Sequence, residues 1–254
     1  MSKPEYNLIY HAGIPGRAEF IRLYFEATST PYIDSAREVG QECVAPYSRD
    51  GFEHCDKNPT PFAPPVLVHD DLVISQTPNI LLYLSGRLGA LDLGDGAASS
   101  KTATLNDPST FHHHALLLTI LDLNNEAHDT HHPVDVMLYY EDQKDAAVAK
   151  AKAFREGRVP KFFKWAEGNI TKWDSGFLTK EASYADLALF QVVDGLLYAF
   201  PKLIARIKGD YPKVFALHER VKSSPKISAY LASDRHQAFN EYGVFRHYPE
   251  LDEA

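Results

Sequence analysis

Apolar residues alternate along residues 6–10, with Tyr6, Leu8 and Tyr10 on one face and Asn7 and Ile9 on the other. That period of two predicts a strand. Gly13-Ile14-Pro15-Gly16 then marks a turn. Across residues 17–27, Phe20, Ile21, Tyr24 and Phe25 return at helical spacing. Pro31-Tyr32-Ile33 begins a second short strand, and the polar, proline-bearing stretch 35–61 predicts a long loop with room for one helical turn. Val66-Leu67-Val68 and Leu72-Val73-Ile74 flank His69-Asp70-Asp71 as the arms of a hairpin. Thr77-Pro78 opens a helix, with Thr77 as N-cap and Pro78 at the first helical position. Leu81, Leu84 and Leu88 give this helix its apolar face, and Gly89 ends it. The order β-α-β, loop, β-β-α predicts a small α/β domain over residues 1–91.

Residues 92–109 are dominated by Gly, Ala, Ser, Thr, Asn, Asp and Pro, the composition of a linker. Beyond it, over residues 110–254, no strand pattern is present. Helical periodicity covers 111–129, 142–156, 160–171, 184–208 and 212–222. Ser183-Tyr184-Ala185-Asp186 has the spacing of a capping box ahead of the apolar run 187–200. An α/β domain followed by an all-α domain is therefore expected.

With 44% hydrophobic and 24% charged residues in 254, the composition is that of a folded globular protein. A net charge of -8 without a basic run speaks against nucleic acid or an anionic membrane as a partner. The two cysteines, Cys43 and Cys55, make neither a disulfide framework nor a C-x-x-C pair. Residues 1–6 lack an apolar signal region, and the densest apolar stretch, 115–121, falls far short of the ~20 residues that span a bilayer. These features predict a protein of the reducing cytoplasm.

Several segments carry candidate chemistry, each with a plain alternative. Pro64-Pro65 precedes a strand and is a candidate cis bond, or two ordinary loop prolines. Gln76-Thr77-Pro78 places an amide and a hydroxyl at a helix N-terminus, where free N–H groups attract anions, or it is simply a cap. Tyr10 ends a strand at the Gly/Pro turn, with Arg17 at the next helix entry; the phenol could meet an anion or pack as an aromatic. His112-His113-His114 and His128, His131 and His132 lie near Asp122, Glu126 and Asp129. His128 and His132 are four apart, a spacing open to a metal. Pro133 ends that helix and no H-E-x-x-H is present, so hydrogen bonding is the preferred reading and no metal is expected. Tyr139-Tyr140 and Phe245-Arg246-His247-Tyr248 are aromatic clusters, read as core or interface before ligand site.

Taken in order, these segments resemble the cytosolic glutathione transferases along nearly the whole chain. The matching residues are Tyr10-x-x-Gly13-x-Pro15-Gly16-Arg17-x-Glu19, Pro64-Pro65-x-Leu67, Gln76-Thr77 ahead of Ile80-Leu81-x-Tyr83-Leu84, and the Ser183-x-x-Asp186 box. Residues 126–133, 138–144 and 245–252 are similar to a fungal and bacterial branch near the tyrosine-type classes. The resemblance implies a thioredoxin-like N-terminal domain, an all-helical C-terminal domain, glutathione as co-substrate and a homodimer. It implies that Tyr10 donates to the glutathione sulfur and that Arg17 adds positive field there. Gln76 and Thr77 would hold the γ-glutamyl carboxylate, Pro64 would pair with the cysteinyl amide ahead of cis-Pro65, and Lys57 is the nearest cation for the glycine carboxylate. Glu126 falls near an acidic residue that reaches the partner subunit's glutathione in some classes. Met137, Tyr139 and Tyr140 would line the site for a hydrophobic second substrate.

The departures from the family pattern are specific. Tyr10 lies seven residues before Arg17 where the family has six, and His11 takes the six position. A one-residue insertion in the turn keeps Tyr10 in strand phase, with His11 as its rival. Thr77 replaces the usual Ser and keeps the hydroxyl. Pro64 has no N–H, so only its carbonyl can pair. The expected activity is thiolate attack on hydrophobic electrophiles or organic peroxides. The alternative is a carrier of hydrophobic aromatic ligands without catalysis. A thiol-disulfide reductase would need a cysteine within residues 6–17, and none is there.

Overall fold

The computed structural model describes residues 5–49, 51–52, 57–88, 91, 93 and 104–253. They form two compact units. The first comprises the described residues up to His114 together with Pro225–Ala238, and the second comprises Ala115–Ser224 with Phe239 onward.

The first unit is built on a four-stranded sheet of order β2-β1-β3-β4: β1 Tyr6–Ile9, β2 Tyr32–Asp34, β3 Val66–His69 and β4 Leu72–Ser75. β1 runs parallel to β2 and antiparallel to β3, and β3–β4 is the expected hairpin. The alternation of β1 divides the layers. On one face Tyr6 meets Phe25 of α1 (Glu19–Ala27), ring centres 5.5 Å apart. On the other, Ile9 joins Val66, Val73, Ala36 and Cys43.

That second face explains a departure from the predicted loop 35–61. It holds a helix, α2 (Ser35–Val39), and two short 3-10 turns, Gly40–Cys43 and Ala45–Tyr47. Ala36, Cys43, Val44, Tyr47 and Phe52 cover the sheet from irregular positions, so no period betrays them. Cys55 lies outside the described residues. So does Gly89, and α3 (Thr77–Ser85) ends earlier, at Gly86. The cap of α3 is Gln76 and not Thr77: Gln76 sits at φ 73 and Thr77 is already helical.

Almost all of α1 is buried, Glu19 and Arg22 included. It packs against α3 and against α10 (Pro225–Leu231), a helix absent from the periodicity reading. Tyr230 of α10 donates to Glu19 at 2.7 Å. Glu19 and Asp34 both pair with Arg22, at 3.2 and 2.7 Å. This buried acid–base cluster fixes a late helix to the first unit.

The second unit contains α4 (Pro108–His128) from Ala115 on, α5 (Lys144–Ala153), α6 (Val159–Lys172), α7 (Tyr184–Ala199), α8 (Pro201–Ile207) and α9 (Pro212–Ser223). One π turn, Phe154–Arg158, joins α5 to α6. The expected capping box is present: Ser183 Oγ accepts from Ala185 N–H at 3.2 Å, and Asp186 accepts from Ser183 N–H at 2.8 Å. α7 is buried nearly throughout.

The predicted helix 184–208 is two helices, α7 and α8, bent by 115°. Pro201 cannot donate the helical bond and its ring clashes with the preceding turn. Asp252 instead accepts from the N–H groups of Lys202 and Leu203, at 2.6 and 3.0 Å, and so satisfies the start of α8. The tail thus docks on the helical core. Arg155 donates to the Leu251 carbonyl, and the Phe245 ring occupies the space that a Cβ at residue 195 would need, so Gly195 is fixed by packing.

Candidate functional site

Sheet register brings the first set of candidates to one end. Ile9 lies opposite Val66, and Val66 lies opposite Ser75. The residues just beyond this row are Tyr10, Pro65 and Gln76. Three segments distant in sequence therefore leave the sheet at the same edge. Pro64-Pro65 is cis, as the sequence pattern allowed. Gln76, at positive φ, turns the chain from β4 into α3.

Two hydrogen bonds join the other candidates to this edge. Arg17 N–H donates to the Tyr10 hydroxyl at 2.9 Å. Thr77 Oγ1 donates to the Arg17 carbonyl at 3.1 Å. Gly16, at φ 50, lets the turn pass directly under the Tyr10 ring, where a Cβ would overlap the phenol. The structure thus assembles Tyr10, Arg17, Pro65, Gln76 and Thr77.

The Tyr10 phenol is buried, and burial raises its pKa against the pull of the Arg17 N–H and the Arg17 and Arg22 charges. It stays protonated at neutral pH. Its oxygen already accepts one bond, which leaves the O–H as a donor and polarises it. The two arginines place positive field at the same point.

His11, the rival to Tyr10, is held otherwise. Its Nδ1 lies 2.9 Å from Gln41 Nε2, while Gln41 Oε1 accepts from Ala12 N–H at 3.1 Å. Burial lowers the His11 pKa, so a neutral imidazole is favoured. Gln41 therefore clamps the turn that follows β1. Nothing in the sequence marked it, because 35–61 has no period. Arg22 was equally unmarked by the sequence pattern; it is fully buried, paired with Glu19 and Asp34.

The remaining candidates lie elsewhere. Lys57 pairs with Asp71 at 2.6 Å, at the hairpin turn, the far end of β3 and β4 from Pro65 and Gln76. Four strand residues separate the two ends, about 16 Å from residue 71 to residue 76. Cys43 is buried and donates to the Tyr10 carbonyl at 3.5 Å, and burial raises its thiol pKa. In the second unit, Glu126 is gripped by Arg158 through two bonds of 2.7 and 2.6 Å. Met137 and Tyr139 are largely exposed. Tyr140 is buried, stacks on Tyr248 with ring centres 3.8 Å apart, and donates to Glu250 at 2.9 Å. The structure does not bring these three together.

α4 ends at His128, in keeping with Pro133 downstream. Even so, one ring nitrogen from each of His128, His131 and His132 lies within 4.8 Å of the others. Burial pushes the His131 pKa down to about 2, which keeps the ring neutral.

Residues 128–234 match the sequence profile of the family described as glutathione S-transferase, C-terminal domain. No curated protein gives a significant sequence match. Among solved structures, the chain is similar to a Pi-class glutathione S-transferase of Onchocerca volvulus, with 20% identity over 89% of this chain and 91% of that chain, at a TM-score of 0.57. It is similar to rat hPGDS complexed with a quinoline, with 19% identity, 92% and 100% coverage, and a TM-score of 0.58. It is also similar to prostaglandin synthase D of Nilaparvata lugens, with 18% identity, 91% and 98% coverage, and a TM-score of 0.60. At these identities the likeness is one of fold. The α/β unit with its four-stranded sheet and the helical unit together have the glutathione transferase fold. No single helix among the described residues is long and apolar enough to cross a membrane.

Proposed function

We propose that the protein is a tyrosine-type glutathione transferase of the cytoplasm, acting as a homodimer on hydrophobic electrophiles in detoxification. The observation that carries this reading is the edge shared by Tyr10, Pro65 and Gln76, with Arg17 tied to Tyr10 and Thr77 tied to Arg17. A protonated, buried phenol with two arginines nearby is the environment that favours a thiolate over a thiol. Helix α3 offers unpaired N–H groups to a carboxylate, with Gln76 and Thr77 at its entry. Glutathione would lie along this edge, its sulfur at Tyr10 and its γ-glutamyl end at Gln76 and Thr77. The Pro64 carbonyl would accept from the cysteinyl N–H.

In the reaction the thiol proton leaves to solvent. The thiolate sulfur then forms a bond to the electrophilic carbon, whose leaving group departs with its electron pair. With an organic peroxide the sulfur attacks oxygen instead, and the alkoxide departs. Lys57, held by Asp71 at the other end of the hairpin, and Glu126, held by Arg158, take no part in this assignment.

The carrier reading is supported by one observation: Pro64 lacks the N–H that would complete the pairing with the cysteinyl group. Calorimetric titration with glutathione, followed by conjugation of an aryl halide, separates the two. Saturable binding with glutathione-dependent turnover is expected. Binding of an apolar fluorescent dye without binding of glutathione would leave the carrier.

A further inference from the structure

We propose that His128, His131 and His132 form a three-imidazole site for a divalent transition-metal ion, zinc being the ion that fits the donor set. The site uses none of the residues assigned to glutathione, so it stands or falls separately from that function.

The strongest observation is His131. Its Nε2 lies 2.9 Å from the Val244 carbonyl and can only donate there. The neutral ring therefore carries its lone pair on Nδ1, and Nδ1 is buried without a hydrogen-bond partner. The residue itself is 1% exposed. Buried acceptors without a partner are uncommon, and this one belongs to a ring whose centre lies 4.9 Å from those of two further imidazoles. A carbonyl behind the opposite ring nitrogen is also the usual support of a metal-bound histidine.

The neighbours are arranged to match. The carbonyls of Asp135 and Leu138 face the His132 ring, and Gln143 Nε2 lies 3.3 Å from its Nδ1. His128 stacks on His132 with ring centres 5.0 Å apart, and both make edge contacts with His131 at 4.9 Å. The nitrogens span up to 4.8 Å. Tetrahedral bonds of about 2.0–2.1 Å would set them about 3.4 Å apart, so the rings close by about 1.4 Å on binding. His128 and His132, the two rings nearer the surface, are only partly buried.

The charges around the site are of both signs. The site lies at the C-terminal end of the 21-residue helix α4, where the carbonyl ends point. Asp129 Oδ1 is 3.7 Å from His128 Nδ1. Arg246 acts against a cation at His131 and His132, although its Nε is tied to the Gly243 carbonyl at 3.0 Å. Three neutral imidazoles suit zinc, copper(II) and nickel(II), and leave a fourth position for water. An ion there would also tie the end of α4 to the tail segment at Val244.

The test uses untagged, full-length protein stripped with a chelator, then titrated with zinc against a chromophoric competitor. His112-His113-His114 could bind zinc on their own, so the triple variant His112→Asn/His113→Asn/His114→Asn is titrated in parallel. One zinc per chain with a Kd of about 1 μM or tighter is expected in both proteins. Affinity should fall about 100-fold in His128→Asn and in His132→Asn. Cobalt(II) should give the intense visible bands of a four-coordinate site. Circular dichroism checks that each variant is folded, and the two partly buried histidines are chosen because replacing His131 risks the core. Absence of stoichiometric zinc, or binding unchanged in His128→Asn and His132→Asn, or binding lost only in the triple variant, overturns the proposal.

Discussion

Replacing Tyr10 by Phe tests the proposed site at its centre, and the structure sets two magnitudes. Tyr10 is 5% exposed, and its hydroxyl is the acceptor of the Arg17 N–H at 2.9 Å. Removing that acceptor leaves a partly buried N–H unsatisfied, at a cost of about 1–2 kcal/mol. The second magnitude concerns the bound co-substrate. A free thiol with a pKa of about 8.5 is only about 3% thiolate at pH 7. Lowering the pKa by about two units raises the thiolate roughly 25-fold, which is about 2.7 kcal/mol of differential stabilisation. One charge-assisted hydrogen bond beside two cations is of that order. Burial raises the Tyr10 pKa, so the phenol stays a donor through neutral pH and the shift should hold across that range. The assay is the ultraviolet absorbance of the thiolate of bound glutathione against pH, in wild type, Tyr10→Phe and His11→Ala. The wild-type thiol is expected to titrate well below 8.5, returning toward it only in Tyr10→Phe. Urea melts should show the accompanying loss of about 1–2 kcal/mol. If His11→Ala restores the free-thiol pKa and Tyr10→Phe does not, the insertion argument and the site built on it are wrong.

Other predictions rest on the folding elements. Tyr230→Phe removes a buried donor to Glu19, beside Arg22, and should cost about 1.5–3 kcal/mol; Arg22→Met strands Glu19 and Asp34 and should cost about 3–5 kcal/mol, both read by chemical denaturation. Asp186→Ala removes the acceptor of the Leu178 and Ser183 N–H groups, each at 2.8 Å, and should cost about 2–4 kcal/mol. Burial raises the Asp186 pKa to about 6, above its unfolded value of 3.8. Its contribution is therefore fully present below pH 3.8 and is lost as pH rises through 6; subtracting the Asp186→Asn stability profile from that of wild type should isolate a fall of about 3 kcal/mol over that window. Sedimentation should give about twice the 28.5 kDa chain mass, and a monomer at micromolar concentration would remove the homodimer from the proposal.

Local patterning determined much of this protein. Alternation over residues 6–10 specified β1, the paired runs around Asp70-Asp71 specified the hairpin, and Ser183-x-x-Asp186 specified the start of α7, because each depends on neighbours a few residues apart. The order of these elements, α/β first and helices after, was equally legible; at Pro64-Pro65 the pattern left cis and trans open, and the structure has cis. Tyr10, Arg17, Gln76 and Thr77 could be nominated from composition at turns and helix entries. That Tyr10, Pro65 and Gln76 share one edge depended on register across the sheet, which pairs Ile9, Val66 and Ser75. The segment 35–49 became helical because scattered apolar residues found the Ile9 face to cover. α10 joined the first unit because Tyr230 and Glu19 meet across more than two hundred residues of chain, a contact with no local signal. Pro201 announced a break, but the 115° bend needed Asp252 to satisfy the new helix start. For the histidines, the four-residue spacing of His128 and His132 left a cluster open, while Pro133 and the missing H-E-x-x-H argued against it. The turn after α4 decided otherwise, since it folds three rings together beyond the point where the helical period ends.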